Sequence, residues 1–111
     1  MGISGKIAEV VATPHRYQTV AASQTAQALG EDGGSNGDYI EGVLIVPAVV
    51  AAGAVTLLDG ATSIVLYVGG GTTPLQTVAP FYVKLGMRSV NGPWKITTGA
   101  DVSVIAMGDF T

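Results

Sequence analysis

The sequence predicts an all-β protein, a single jelly-roll-like β-sandwich of about eight short antiparallel strands. Turn-forming residues recur at short, regular intervals along the chain. Between them lie short segments rich in Val, Ile, Thr and Tyr, which are residue types that favour strands. This rhythm is typical of sandwiches and barrels. The length of 111 residues suits one domain.

Segments that alternate in polarity, or that are continuously apolar, define the strands that we predict. In chain order they span residues 17–29, 39–46, 53–58, 63–68, 77–85, 87–90, 94–98 and 102–107. Asp59-Gly60 and Asn91-Gly92 are dipeptides that favour tight turns, so each of them predicts a hairpin. Residues 18–29 are also rich in alanine and glutamine, so a helix competes with a strand there.

An uncharged run covers residues 42–58 and raises the question of a membrane span. The run is shorter than the ~20 residues that a spanning helix needs, and Pro47 and Gly53 interrupt it. No basic residue lies nearby to orient insertion. We therefore interpret the run as two strands joined at residues 47–53, and we expect no membrane partner.

The strand over residues 42–46 is apolar on both of its faces. A strand of an antiparallel sandwich normally turns one face to water, and that face is polar. We therefore expect a second cover, which is either a loop of the same subunit or a neighbouring subunit, and we favour the neighbour. The residues predicted for this subunit interface are Tyr39, Leu44, Val46, Phe81 and Tyr82.

The low content of charged residues also favours an oligomer. Charged residues make up 12% of the chain, against ~25% in average proteins. A small domain with so few charges leaves apolar surface exposed, and large apolar patches usually mark partner interfaces. The net charge of −3 and the five dispersed cations lack the basic face of a nucleic-acid-binding protein, so no such partner is expected.

No group of residues predicts an enzyme, a cofactor site or a metal site. His15 is the only histidine, and no GxSxG motif accompanies it. The glycine run at residues 69–71 lacks the lysine of a phosphate-binding loop. Asp32, Asp38 and Glu41 do not follow the EF-hand pattern, so we expect a solvated loop there.

Residues 37–60 read GDYIEGVLIVPAVVAAGAVTLLDG, and residues 80–110 read PFYVKLGMRSVNGPWKITTGADVSVIAMGDF. In these segments the chain resembles small structural proteins of tailed bacteriophages, of the head-decoration or cement kind. Such proteins typically form trimers on the outer capsid lattice and brace it. The resemblance therefore implies a homotrimer that binds the major capsid protein. It also implies residence in the virion after synthesis in the host cytoplasm, with no cofactor and no reaction.

Residues 1–16 are predicted to form an N-terminal arm, and residues 17–111 are predicted to form the sandwich domain. The arm has no evident hairpin partner, so it is either a ragged terminus or a segment that orders on a partner. In the second case we expect it to contact the capsid through Lys6, Ile7, Val10, His15 and Arg16.

A second hypothesis is a receptor-binding or glycan-binding tip domain of a head or tail fibre, because sandwiches serve that role as well. An exposed aromatic patch built from Trp94 or Tyr67 would favour this hypothesis. We expect Trp94 to pack in the core instead.

Overall fold

The computed structural model describes residues 16–70 and 79–111, and this part of the chain contains eight strands and no helix. The all-β prediction is therefore confirmed. The strands are β1 (Arg16–Val20), β2 (Gln27–Ala28), β3 (Tyr39–Pro47), β4 (Val55–Asp59), β5 (Thr62–Tyr67), β6 (Phe81–Arg88), β7 (Trp94–Thr98) and β8 (Val102–Asp109).

The strands form two four-stranded antiparallel sheets. Sheet A has the order β1-β8-β3-β6, and sheet B has the order β2-β7-β4-β5. Among the eight described strands, only β4 and β5 are consecutive strands that pair as a hairpin, and the other consecutive strands lie in different sheets. This order is that of a jelly roll, in which two Greek keys form a closed pair of sheets. The predicted jelly-roll-like sandwich is confirmed.

The core lies between the two sheets and follows from the alternation of side chains along each strand. In β8, for example, Val102, Val104 and Ala106 are buried, whereas Ser103 and the other odd-numbered residues point away from the core. The buried hydrophobic side chains belong to both sheets and to the segments between strands: Val20, Leu29, Ile40, Val43, Ile45, Ala52, Val55, Leu57, Trp94, Ile96, Val102, Val104 and Ala106.

One of the two predicted hairpins is confirmed and the other is wrong. Asp59-Gly60 lies in the tight turn between the paired strands β4 and β5. Asn91-Gly92 instead connects β6 of sheet A with β7 of sheet B. The backbone N–H groups of Val90 and Asn91 donate to the carboxylate of Asp59, so the β4–β5 turn holds this connection between the sheets.

Two predicted strand boundaries are also wrong. The predicted strand 17–29 is interrupted between β1 and β2, where Ser23 and Ala26 adopt positive φ angles of 60° and 47°. No helix forms there. The predicted break between residues 85 and 87 does not occur, because β6 is continuous from Phe81 to Arg88. Gly86 has a φ of 61° at the point where the register of β6 with β3 shifts.

The uncharged run 42–58 divides between β3 and β4, which lie in different sheets. The interpretation as two strands is confirmed. Across the described residues, no helix has both the length and the apolar character needed to cross a membrane.

Candidate interaction surface

Side chains on the outer face of sheet A form two aligned cross-strand rows. Thr19, Ile105, Leu44 and Tyr82 are register partners from β1 to β6. The adjacent row contains Tyr17, Met107, Gly42 and Lys84. Cross-strand neighbours on one face lie about 5 Å apart, so these residues form a continuous surface. We call its apolar part the A face, which consists of Tyr17, Leu44, Val46, Tyr82, Ile105 and Met107.

The A face is accessible to a partner. Tyr17 is 71% exposed and Tyr82 is 45% exposed, and the four aliphatic members are half-buried. The strands of the described residues form two layers only, so no third layer of strands covers this face. Contiguous apolar surface of this kind marks an interaction site more often than a solvated one.

The outer face of sheet B is more polar, although Val65 of its edge strand β5, the register partner of Thr56, is 58% exposed. Its central strands β4 and β7 present Thr56, Lys95 and Thr97 beside a single aliphatic residue, Leu58. This pattern is the polar exterior expected of an antiparallel sheet that faces water. The two sides of the sandwich therefore differ in polarity, and only sheet A carries an apolar exterior on its central strands.

Tyr82 lies across Gly42 and forms part of the A face. A Cβ atom built on Gly42 would overlap the Tyr82 ring and its hydroxyl. The glycine therefore provides the space in which the ring lies flat against β3. This contact explains why β3 contains a glycine between strand-forming residues, where glycine normally weakens a strand.

A polar cluster borders the A face at the end where β3 begins. The Tyr39 hydroxyl donates to Oε1 of Glu41 at 2.5 Å, and the Arg88 guanidinium lies 6.0 Å from the Tyr39 ring centroid. The hydrogen bond to Glu41 raises the pKa of Tyr39 above its ordinary value. Desolvation raises the pKa of Tyr82, and the negative charge of Glu41 adds to this effect. Both tyrosines therefore present neutral hydroxyls at physiological pH.

A second apolar surface lies where the edge strands β5 and β6 face each other across the sandwich. The inward side chains of Val83, Leu85 and Met87 are only half-buried. Phe81 is 37% exposed and meets Tyr67 of β5 edge to face, with 5.3 Å between ring centroids. We call this surface the β5–β6 side, and it consists of Ile64, Leu66, Tyr67, Phe81, Val83, Leu85 and Met87.

On the opposite side of the sandwich, hydrogen bonds join β1 to β2 and to the residues after it, and the half-buried Phe110 lines a pocket of about 140 Å³ there. The Gln18 side chain of β1 donates to the carbonyl of Ala28 and accepts from the backbone N–H of Gly30. Val20 and Leu29, the apolar residues beside this contact, are fully buried.

The residues predicted for a subunit interface occupy three places. Leu44, Val46 and Tyr82 belong to the A face, and Tyr39 lies in the polar cluster at its border. Phe81 points to the other side of sheet A and belongs to the β5–β6 side, as expected for a neighbour of Tyr82 along a strand.

Sequence reasoning missed Tyr17, Ile105 and Met107 of the A face. The alternation of β8 contained the necessary signal, because two of its four outward positions, Ile105 and Met107, are apolar as well as its inward positions. Among the residues predicted for the arm, Arg16 begins β1 and pairs with Gly108. The other four, Lys6, Ile7, Val10 and His15, lie outside the described residues.

Of the three carboxylates considered as metal ligands, Asp38 and Glu41 have structural hydrogen bonds and Asp32 is exposed. The expectation of a solvated loop is therefore wrong for Asp38. Asp38 is 6% exposed and accepts hydrogen bonds from the backbone N–H groups of Ser35 and Thr111. Its carbonyl accepts from Nε1 of Trp94 at 2.8 Å. Within residues 16–70 and 79–111, no group of three His, Asp or Glu residues could hold a metal ion.

Comparison with known proteins identifies no relative. No family model, no curated protein and no solved structure matches the chain. The strand order, the A face and the β5–β6 side are therefore the observations on which a function can be argued.

Proposed function

We propose that the chain is a structural virion protein of the decoration or cement kind. It binds the outer surface of a phage head as a homotrimer, contacts the major capsid protein and stabilises the capsid lattice. The observation that supports this proposal best is the A face, because an apolar exterior on one sheet requires a partner. The resemblance described above gives the class of partner.

The size of the A face argues for many weak contacts rather than one strong contact. Four strands about 4.8 Å apart, over about 20 Å of strand, give a face of about 400 Å². A stable pairwise interface buries about 800 Å² on each partner. A contact between two copies through this face is therefore weak on its own, and binding of an oligomer to a shell becomes strong because several copies engage neighbouring sites at once. A repeating shell offers such sites.

The proposal includes no reaction and no cofactor. Copies made in the host cytoplasm join the head after the shell has formed, and they remain in the virion. In a bound copy, we expect the outer face of sheet B to point to solvent, because its outward side chains Thr56, Lys95 and Thr97 are hydrophilic.

The alternative, a glycan-binding or receptor-binding fibre tip, has weaker support. That function needs exposed aromatic rings on which a sugar can stack. Trp94 is 1% exposed, and Tyr67 is half-buried against Phe81. Tyr82 is exposed on the face of sheet A, and Tyr17 is exposed beside a pocket of about 140 Å³ that the loop residue Glu31 also lines. One exposed ring beside a small pocket is weaker support than the apolar A face.

The direct test mixes the purified protein with purified, expanded phage heads and, separately, with a panel of host surface glycans. We expect binding to heads that saturates at a fixed number of copies per lattice site. We also expect the Leu44→Asp variant to lose this binding, because a carboxylate on the A face is costly to desolvate, so the copies separate and the multivalent contact is lost.

Leu58→Asp is the matched control, because Leu58 is also a half-buried leucine that points outward from a central strand, but on sheet B. It should bind heads like the unmodified protein. Saturable glycan binding without binding to heads would contradict the proposal and support the fibre-tip alternative.

A further inference from the structure

We infer that the chain carries a binding site for one neutral sugar unit at the edge of the sandwich beside β1. The site is a pocket of about 140 Å³ where the start of β1, the loop after β2 and the residues after β8 meet. Head binding does not need such a ligand, so the site adds a function beyond the proposed one. The residues that line the pocket are Arg16, Tyr17, Gln18, Gly30, Glu31 and Phe110.

The walls of the pocket are held in place by contacts within the chain. The Gln18 side chain donates to the Ala28 carbonyl at 3.1 Å and accepts from the Gly30 backbone N–H at 2.8 Å. Gly30 lies so close to Thr111 that an added Cβ would come within 2.6 Å of the Thr111 carbonyl carbon. Phe110 packs against the core. Sites for small ligands are usually preformed in this way, so binding costs little ordering of the protein.

The size of the pocket limits the ligand to a single ring. Sites for drug-sized molecules enclose about 300–1,000 Å³, whereas a cavity of about 150 Å³ accepts one benzene molecule. The pocket beside β1, at about 140 Å³, belongs to the second class. It therefore has room for one unit of a larger ligand, with the rest of that ligand outside.

Two side chains of opposite charge at the pocket favour a neutral ligand. Arg16 and Glu31 are both exposed, so the guanidinium and the carboxylate are accessible to a ligand. The carboxylate disfavours an anion such as phosphate, and the guanidinium disfavours a cation. A guanidinium only donates hydrogen bonds and a carboxylate only accepts them, whereas a hydroxyl group does both. A sugar with several hydroxyl groups can therefore satisfy both side chains without carrying a charge.

Gln18 and Phe110 provide the other contacts that a sugar ring needs. An amide side chain has two N–H donors and two acceptor lone pairs, and the contacts described above use one of each. One donor and one lone pair of Gln18 therefore remain for ligand hydroxyls. The half-buried Phe110 ring offers an apolar wall to the C–H groups of the sugar. An apolar side chain of a protein partner fits less well, because it would desolvate the two charged groups without pairing them.

The pocket and the A face lie on different sides of β1. Arg16 and Gln18 alternate with Tyr17 along the strand, and they lie on the side that carries the buried Val20. The A face lies on the other side, and the two surfaces share only Tyr17. The other five residues of the pocket are not part of the A face, so sugar binding and head binding can be tested separately.

Titration by NMR with neutral methyl glycosides tests the inference. The probes are the methyl glycosides of glucose, galactose, mannose, rhamnose and N-acetylglucosamine, each added to the ¹⁵N-labelled protein. At least one of them should shift the Gln18 side-chain amide and the Gly30 backbone amide to saturation. We expect a dissociation constant of about 1–10 mM, because a ligand of one ring makes few contacts. No saturable shift of these amides with any of the probes would overturn the inference.

Three further probes test the chemistry of the ligand. They are inorganic phosphate, ethylammonium and tetrahydropyran, which is a sugar-like ring without hydroxyl groups. A site built to hydrogen-bond hydroxyl groups rejects a ligand that lacks them. None of the three should shift the pocket amides at concentrations at which the sugar saturates them. Tighter binding of phosphate or ethylammonium would indicate an ion site, and equal binding of tetrahydropyran would indicate an apolar cavity. Either result would overturn the assignment to a sugar.

Glu31→Gln should weaken sugar binding by about tenfold, because a neutral amide replaces a charged acceptor. Asp32→Asn is the matched control, since Asp32 is exposed in the same loop and does not line the pocket. It should bind the sugar like the unmodified protein. Equal affinities of the two variants would overturn the inference. Glu31→Gln should also bind phage heads like the unmodified protein, so a failure of the sugar site leaves the proposed function standing, and the reverse holds as well.

Discussion

At the residue scale, two buried aspartates hold the loops at one end of the sandwich. Asp38 accepts from Ser35 and Thr111, and Asp59 accepts from Val90 and Asn91. In these irregular segments the backbone N–H groups have no carbonyl of a paired strand to donate to, and each carboxylate accepts their hydrogen bonds instead. No buried polar side-chain atom in the described residues is left without a hydrogen bond. Loop order at this end therefore depends on a few side chains.

Replacement of Asp38 by alanine should lower the free energy of unfolding by about 2–3 kcal/mol, because it leaves two N–H donors without their acceptor. Urea denaturation measures this change. Asp32→Ala is the control, since Asp32 is exposed in the same loop and should change stability little. Equal effects of the two substitutions would mean that the Asp38 contacts are unimportant.

Tyr39 should titrate above the ordinary tyrosine value of ~10, because its proton is held in the hydrogen bond to Glu41. As the pH rises, Tyr39 loses its proton in the unfolded chain before it does so in the folded chain. The contribution of its hydrogen bond to the free energy of unfolding is therefore present at neutral pH and is lost as the pH rises past 10. NMR titration of the Tyr39 ring should show a lower pKa in Glu41→Gln than in the unmodified protein. Glu31→Gln should leave the pKa of Tyr39 unchanged.

At the scale of the elements, the sequence predicted those strands whose signals are local. β7 was predicted with its exact bounds, and the Asp-Gly hairpin was found where the dipeptide stands. The errors occurred where tertiary contacts decide. Asn91-Gly92 joins two sheets because Asp59 holds the loop, and Gly86 continues a strand that its residue type would interrupt. Of the six residues of the A face, the sequence predicted Leu44 and Val46 of β3 and Tyr82 of β6. The three members in β1 and β8 were missed.

Two glycines of sheet A should respond differently to replacement by alanine. At Gly108 the added Cβ would overlap the Tyr39 carbonyl of the paired strand β3, which cannot move without breaking the sheet. We expect a loss of about 1–3 kcal/mol in the free energy of unfolding. At Gly42 the neighbour is the mobile end of the Tyr82 ring, so the ring moves and stability changes less.

The same pair distinguishes stability from association. Gly42→Ala should weaken the oligomer because it displaces Tyr82 from the A face, while thermal unfolding of the monomer stays nearly unchanged. If Gly42→Ala and Gly108→Ala destabilise the fold equally, then Tyr82 is fixed in place and our account of Gly42 is wrong.

At the scale of the whole molecule, the sandwich has one polar exterior, one apolar exterior and one incompletely covered side. The low charge content predicted exposed apolar surface, but composition could not say where it lies. That placement depends on the order of the strands, which brings β1, β8, β3 and β6 into one sheet. Long-range pairing of this kind has no local sequence signal, and it decides which apolar residues become neighbours.

The most direct test of the central claim is the mass of the unmodified protein in solution, measured by light scattering over a range of micromolar concentrations. Our account predicts a species of three chains, and it predicts that Leu44→Asp is folded with the mass of one chain while Leu58→Asp keeps the larger mass. A folded monomer of the unmodified protein throughout this range would contradict the claim that the A face is covered by another copy.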